Sequence, residues 1–258
     1  MKDYKLYLID LDGTVYRGDE TIASGVNFVH RLQQEGKDYL FLTNNTTRTL
    51  EMVVEKLAKH GVVTDTKHVY TPSMATATYI LNKHPHDKKI GVYIIGEIGL
   101  KSEFLNEHCE FQLNEENPEY VVVGMDTDLT YHKVRVATRA IRNGATFIGT
   151  NADLNLPLGD ELIPGNGSQC EFIAAATGQK PLYIGKPEPI IVDMALKLTG
   201  HTSDETLIVG DNYNTDIRAG FNSDVDQLLT LTGVTTKEDI AGKRKPTILV
   251  NSLDEYKI

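Results

Sequence analysis

Short apolar runs alternate with amphipathic stretches along this chain. Leu6–Ile9 and Tyr39–Leu42 are continuous apolar runs of strand length. A parallel sheet, covered on both faces, needs runs of that kind. Between them, Val26, Val29 and Leu32 recur near helical spacing until Gly36. After them, Leu50, Val53, Val54 and Leu57 mark one face of a helix predicted over Arg48–His60, with Gly61 as its stop. The strand–helix–strand–helix order predicts a parallel sheet with right-handed crossovers. A second block comes next, with strands expected at Ile90–Ile95, Tyr120–Val123 and Thr146–Thr150 and a helix at Tyr131–Asn143. Leu182–Ile184, Thr206–Val209, Leu228–Thr230 and Thr247–Val250 then resume short buried strands. Thr71-Pro72-Ser73 and Thr177-Gly178-Gln179-Lys180-Pro181 are the candidate joints.

Composition narrows the function classes. With 258 residues, 40% of them hydrophobic, the chain can bury a substantial core. A formal net charge of -10 argues against a nucleic-acid backbone as the main partner. It still permits an anionic substrate, because a bound divalent cation inverts the local field. No apolar run is long enough to span a bilayer, so no membrane partner is expected. The N-terminus lacks the pattern of a signal peptide. Cys109 and Cys170 are the only cysteines, and both read as structural residues in a reducing cytoplasm.

The chemistry gathers at strand ends. Asp10-Leu11-Asp12-Gly13-Thr14 comes directly after Leu6–Ile9. If the extended path persists, residues two apart share a face, and both carboxylates point to one place. Two like charges that close need a cation or a proton between them. The pair therefore predicts a metal site, an acid/base site, or both. A plain Asp-Gly turn is the bland alternative. A calcium loop fails on spacing, because Val15 and Thr21 stand where it needs Gly and Glu. Phosphoryl transfer to an aspartate is the third reading, since a carboxylate is already ionised at neutral pH.

Ligands of open parallel sheets bind beyond the carboxyl ends of the strands. There Tyr39–Leu42 delivers Thr43-Asn44-Asn45, Leu182–Ile184 delivers Gly185-Lys186-Pro187, and Thr206–Val209 delivers Gly210-Asp211 with Asp216 shortly after. Each has an ordinary alternative: a helix cap, a surface lysine, a turn, a surface charge. All four after apolar strands are hard to assign to chance.

The ordered set Asp-x-Asp-Gly-Thr, Thr-Asn, Lys-Pro and Gly-Asp-x-x-x-Thr-Asp, from Asp10 to Asp216, resembles the four signatures of the haloacid dehalogenase superfamily. Asp12 resembles the phosphatase branch. Val121–Asp126, Gly144–Asp153 and Pro164–Ser168 are similar to the NagD-type, nitrophenyl-phosphatase-like subfamily. The chain departs from it at Asn212, where Arg is frequent, and at Ser223, where Gly is expected. The resemblance implies an α/β protein: a Rossmann-like parallel sheet core flanked by helices, residues 1–75 and 181–258, with a smaller α/β cap inserted at 76–180.

It also implies a mechanism. Asp10 is the nucleophile and Asp12 the general acid and base. Lys186 offsets phosphoryl charge, while Thr43 and the Asn44 amide grip the oxygens. Asp10, the Asp12 carbonyl, Asp211 and Asp216 hold Mg²⁺. Cap residues Asn151 and Asp153 are the candidates for leaving-group contacts, with Pro164–Ser168 behind them. The expected substrate is a small phosphorylated metabolite of the nucleotide or sugar-phosphate type, and the resemblance also allows a homodimer. A phosphotransferase or mutase, and a receiver-like phospho-ligand sensor, are the rival readings; a dehalogenase has no need of Asp12.

Overall fold

The computed structural model describes residues 2–85, 88–105, 110–158 and 161–258. Cys109, read above as structural, lies outside them. The chain divides into two compact units: residues 1–43, 50–70 and 186–258, and residues 44–49 with 71–185.

The first unit is built on a six-stranded sheet in the order Ile248–Val250, Asp226–Thr230, Thr206–Gly210, Leu6–Ile9, Asp38–Leu42, Val69–Tyr70. Every pairing is parallel. Leu6–Ile9 is buried throughout, as its unbroken apolar run requires. The helix Ala23–Gln34 buries Val26, Phe28, Val29 and Leu32. The helix Leu50–Lys59 is shorter than the apolar pattern suggested and buries Val53 and Leu57, with Leu50 and Val54 half-covered. Gly61 takes the left-handed φ of 88° that ends it. A two-stranded hairpin, Tyr16–Arg17 with Glu20–Thr21, comes after the first aspartate loop. Glu188 stands at the N-cap position of the helix Pro189–Thr199, whose first turn carries proline.

The second unit carries a five-stranded parallel sheet in the order Leu182–Tyr183, Thr146–Gly149, Tyr120–Val123, Ile90–Ile95, Phe111–Leu113. Leu182–Tyr183 therefore does not belong with the other strands expected to feed the site. Only two residues pair, Leu182 with Ile148 and Tyr183 with Gly149. A strand that short carries no pattern that names its partner. Thr71-Pro72-Ser73, expected as a joint, lies where the chain passes from the first unit to the second, and it also starts the helix Pro72–Leu81, with the Thr71 hydroxyl accepting from the Met74 N–H. Thr177–Pro181 contains a helix stop, Gly178 at φ 75°. Pro164–Ser168 is the entry to the helix Asn166–Thr177, not a free loop. Cys170 on that helix is fully buried, and burial pushes its thiol up to about 12, as a structural cysteine requires. Among the described residues, no helix is long and apolar enough to cross a membrane.

Candidate active site

Strand pairing brings the carboxylates of the first unit together. Ile9 lies opposite Val209, and the Asp10 N–H donates to the Val209 carbonyl at 2.8 Å. Asp10 and Asp211 thus leave neighbouring strands side by side. Asp216 is returned to them by a wide π-helical turn over Tyr213–Ile217, a form frequent at functional sites. The Asn212 carbonyl accepts from the Asp216 N–H at 2.9 Å, and the Asn212 N–H donates to Asp216 Oδ2 at 3.0 Å. Asp10, Asp211 and Asp216 each offer an oxygen within 4.8 Å of the others.

Lys186 enters this cluster nearly fully buried. Its Nζ donates to Asp10 Oδ1 at 2.6 Å and to Asp216 Oδ1 at 2.7 Å. Burial alone would lower the lysine's proton affinity; Asp10 and Asp216 outweigh it, and the net shift is upward. Burial raises Asp10 well above the usual carboxylate range, Lys186 pulls it back, and Asp216 and Asp211 push it up again. Burial and Asp216 lift Asp211 to about 7, against the Val234 N–H and Lys186. All three shifts say that the pocket is short of positive charge. Among the described residues, one ammonium, that of Lys186, is bonded into this group of three buried carboxylates.

Such a pocket fits a divalent cation. Hard carboxylate oxygens in a compact group suit Mg²⁺. Two glycines keep the backbone close around it. Gly13 holds a φ of 93°, and a Cβ there would run into the Asp211 carboxylate. A Cβ on Gly233 would strike the same carboxylate. Asp211 is held by the Val234 N–H at 2.6 Å and by the Thr14 hydroxyl at 3.4 Å.

The other expected residues fall in two groups. Thr43 is buried at the end of its strand in the first unit. The carboxylate of Asp12 does not join the cluster. The strand ends at Ile9, so the extended path does not persist. Asp12 instead bridges Tyr16, is 55% exposed, and has Lys56 Nζ 4.0 Å from its Oδ1. Asn44, Asn151 and Asp153 meet one another in the second unit. The Asn44 amide donates to Asp153 Oδ2 at 3.0 Å, the Asn151 amide to the Asn44 carbonyl at 2.9 Å, and the Asp153 N–H to Asn151 Oδ1 at 3.1 Å. Sequence reasoning gave Thr14 no role of its own within its motif, and missed Gly233, Val234 and Lys56. Gly233 and Val234 lie just beyond the strand Asp226–Thr230, so the strand-end rule applied there would have found them. Lys56 leaves no local signal.

The profile of the haloacid dehalogenase-like hydrolases matches residues 7–110, and a second, HAD-hydrolase-like profile matches residues 183–256. The chain is 45% identical to the 5'-nucleotidase YutF of Bacillus subtilis, over 99% of this chain and 98% of that protein. The chain belongs to the haloacid dehalogenase-like hydrolase family. Among the hydrolases it resembles, the acid sugar phosphatase of Staphylococcus aureus is 43% identical over 95% of this chain and 93% of its own. The solved structure of NagD from E. coli K-12 superposes with a TM-score of 0.91 at 32% identity, covering 99% of both chains. The Rossmann-like fold expected from the motifs is thus that of a haloacid dehalogenase-like hydrolase. Asp10 and Asp211 come directly after strands of the first unit's sheet, Asp216 lies on the turn after Asp211, and Lys186 comes three residues after a strand of the second unit's sheet.

Proposed function

We propose that this hydrolase is a phosphatase of small phosphomonoesters of the nucleotide or sugar-phosphate type, dependent on Mg²⁺ and working through an aspartyl-phosphate on Asp10. The observation that carries this reading is the buried cluster of Asp10, Asp211 and Asp216 around Lys186. The relatives named above, a 5'-nucleotidase and an acid sugar phosphatase, support the substrate class.

Asp10, Asp211, Asp216 and the Asp12 carbonyl would hold the cation. When bound, it supplies the positive charge that keeps these carboxylates ionised and draws charge from the phosphoryl group. An Asp10 oxygen attacks phosphorus in line, the bond to the leaving oxygen breaks, and Asp12 gives that oxygen its proton. Asp12 then takes a proton from the water that attacks the acyl-phosphate, which returns Asp10 as a carboxylate and releases inorganic phosphate. Lys186 keeps Asp10 oriented and offsets charge on the transferring oxygens. Thr43 and the Asn44 N–H grip them. We assign the second unit, residues 44–49 with 71–185, as the cap, and Asn151 and Asp153 within it as the candidates for leaving-group specificity.

The test is phosphate release from a panel of phosphomonoesters, with Mg²⁺ and with EDTA. Mg²⁺-dependent release, abolished by Asp10→Asn, is expected, and a short-lived phosphoryl group on Asp10 should be trappable by rapid quenching during turnover. An intact rate in Asp10→Asn would refute the reading.

A further inference from the structure

The nucleophile is clamped by Lys186, but the proton donor assigned above has no such burial. The Asp12 carboxylate is 55% exposed, whereas that of Asp10 is 13% exposed. A proton donor works only while it is in line with the leaving group, so what packs against its side chain bears on the rate.

Lys56 lies against that side chain. It stands on the helix Leu50–Lys59, yet its side chain is only 15% exposed. Its Nζ lies 3.9 Å from the centroid of the Tyr16 ring and 4.0 Å from Asp12 Oδ1. An ammonium over a ring face is held electrostatically, so the lysine is folded back instead of reaching into water. Tyr16 is itself fixed. It is 3% exposed and stacks on His60 with centroids 4.8 Å apart and planes at 22°. His60 Nδ1 and the Thr21 hydroxyl are 2.8 Å apart. The backbone of Tyr16 also sets the aspartate loop: the Gly13 N–H donates to its carbonyl at 2.7 Å, and it bridges Asp12. One residue therefore shapes the loop that carries Asp12 and seats the ammonium that faces it.

We infer that Lys56, seated on Tyr16, is a positioning residue that holds the Asp12 carboxyl group toward the leaving-group oxygen. The inference rests on the phosphatase reading and on the acid role of Asp12 in it. In that step the bond from phosphorus to the leaving oxygen breaks, and the Asp12 proton passes to that oxygen. The phosphoryl group remains on Asp10. A nitrophenolate leaves readily without a proton, whereas an alkoxide does not. Misplacing Asp12 must therefore slow alkyl esters more than aryl esters.

The experiment compares kcat/KM for glycerol phosphate with kcat/KM for p-nitrophenyl phosphate, at saturating Mg²⁺, in the full chain. Lys56→Met should lower the alkyl-to-aryl ratio about tenfold or more, a fraction of what a general acid contributes. Lys56→Arg should restore the ratio to within about threefold of wild type, because its charge can rest on the same ring. Tyr16→Leu, with folding checked by thermal melting, should reproduce the selective loss. Equal losses on both esters in Lys56→Met would mean that Lys56 serves substrate binding or stability, and would overturn the inference. Asp12→Ala separates the two levels. A selective alkyl loss there, absent in Lys56→Met, sinks the role of Lys56 alone. Equal losses in Asp12→Ala would sink the acid role of Asp12 and this inference with it, while the phosphatase reading would stand or fall on Asp10→Asn.

Discussion

Asp211→Asn should make the metal-free protein more stable while it destroys activity. Asp211 is 1% exposed, and its carboxyl titrates at about 7 instead of the ordinary 3.8. A folded-state value above the unfolded one means that the folded protein binds the proton more tightly. Stability therefore falls as pH rises from near 4 to 7, and the full cost is present above 7. Three pKa units correspond to about 4 kcal/mol at pH 8 and about 1 kcal/mol at pH 4.5. Asp10 competes for the same proton, so removing one charge recovers less than the larger figure, on the order of 2 kcal/mol.

Asparagine keeps the contacts of Asp211. Its oxygen accepts from the Val234 N–H, now 2.6 Å from Oδ2, and its amide can donate to the Thr14 hydroxyl, now 3.4 Å from Oδ1. In EDTA at pH 8 the variant should melt about 4–8 °C above wild type, with the gap closing to about 2 °C or less at pH 4.5. Mg²⁺ should raise the wild-type Tm and leave that of the variant unchanged, since only the wild type gains binding energy. A variant less stable than wild type at pH 8 in EDTA, or a gap that widens on acidification, would refute the reasoning.

The same geometry sets three further outcomes. Lys186→Met removes the ammonium 2.6 Å and 2.7 Å from two buried carboxylates, and should cost about 3–5 kcal/mol in EDTA at pH 8, read by thermal melting. The loss should shrink at pH 5, where a carboxylate takes up a proton in its place. Gly233→Ala forces a Cβ into the Asp211 carboxylate and should raise the Mg²⁺ concentration for half-maximal activity at least about tenfold, the scale of a disturbed ligand. Phe28→Ala, a fully buried ring edge-on to Tyr7 and Tyr256, should cost about 3–5 kcal/mol in chemical denaturation and leave KM unchanged in the residual folded protein.

Much of the site was legible as sequence because strand ends are local features. A buried apolar run leading into Asp10, Thr43 or Asp211 needs no knowledge of the rest of the chain: the run predicts the strand, and the next residues must emerge at its end. Lys186 was found for a reason the structure corrects. It does come after an apolar strand, but Leu182–Tyr183 hydrogen-bonds into the sheet of the second unit. Choosing between two sheets is a choice among distant partners, and two paired residues carry no pattern that decides it.

By itself the sequence determined the α/β class, the parallel strands and the four polar segments that come after apolar runs, because periodicity and turn chemistry act over a few residues. Tertiary structure decided which groups meet and how strongly they interact. Lys186 reaches Asp10 across 176 positions, Val234 reaches Asp211 across 23, and Lys56 comes to rest on Tyr16 near Asp12. Only tertiary structure put segment 44–49 in the second unit, with Asn44 bound to Asn151 and Asp153. It also separated the surroundings of the first two aspartates, burying one beside an ammonium and leaving the other largely exposed. The physical reason is that desolvation and charge pairing depend on what packs within a few ångströms, and the order of residues along the chain does not state that distance.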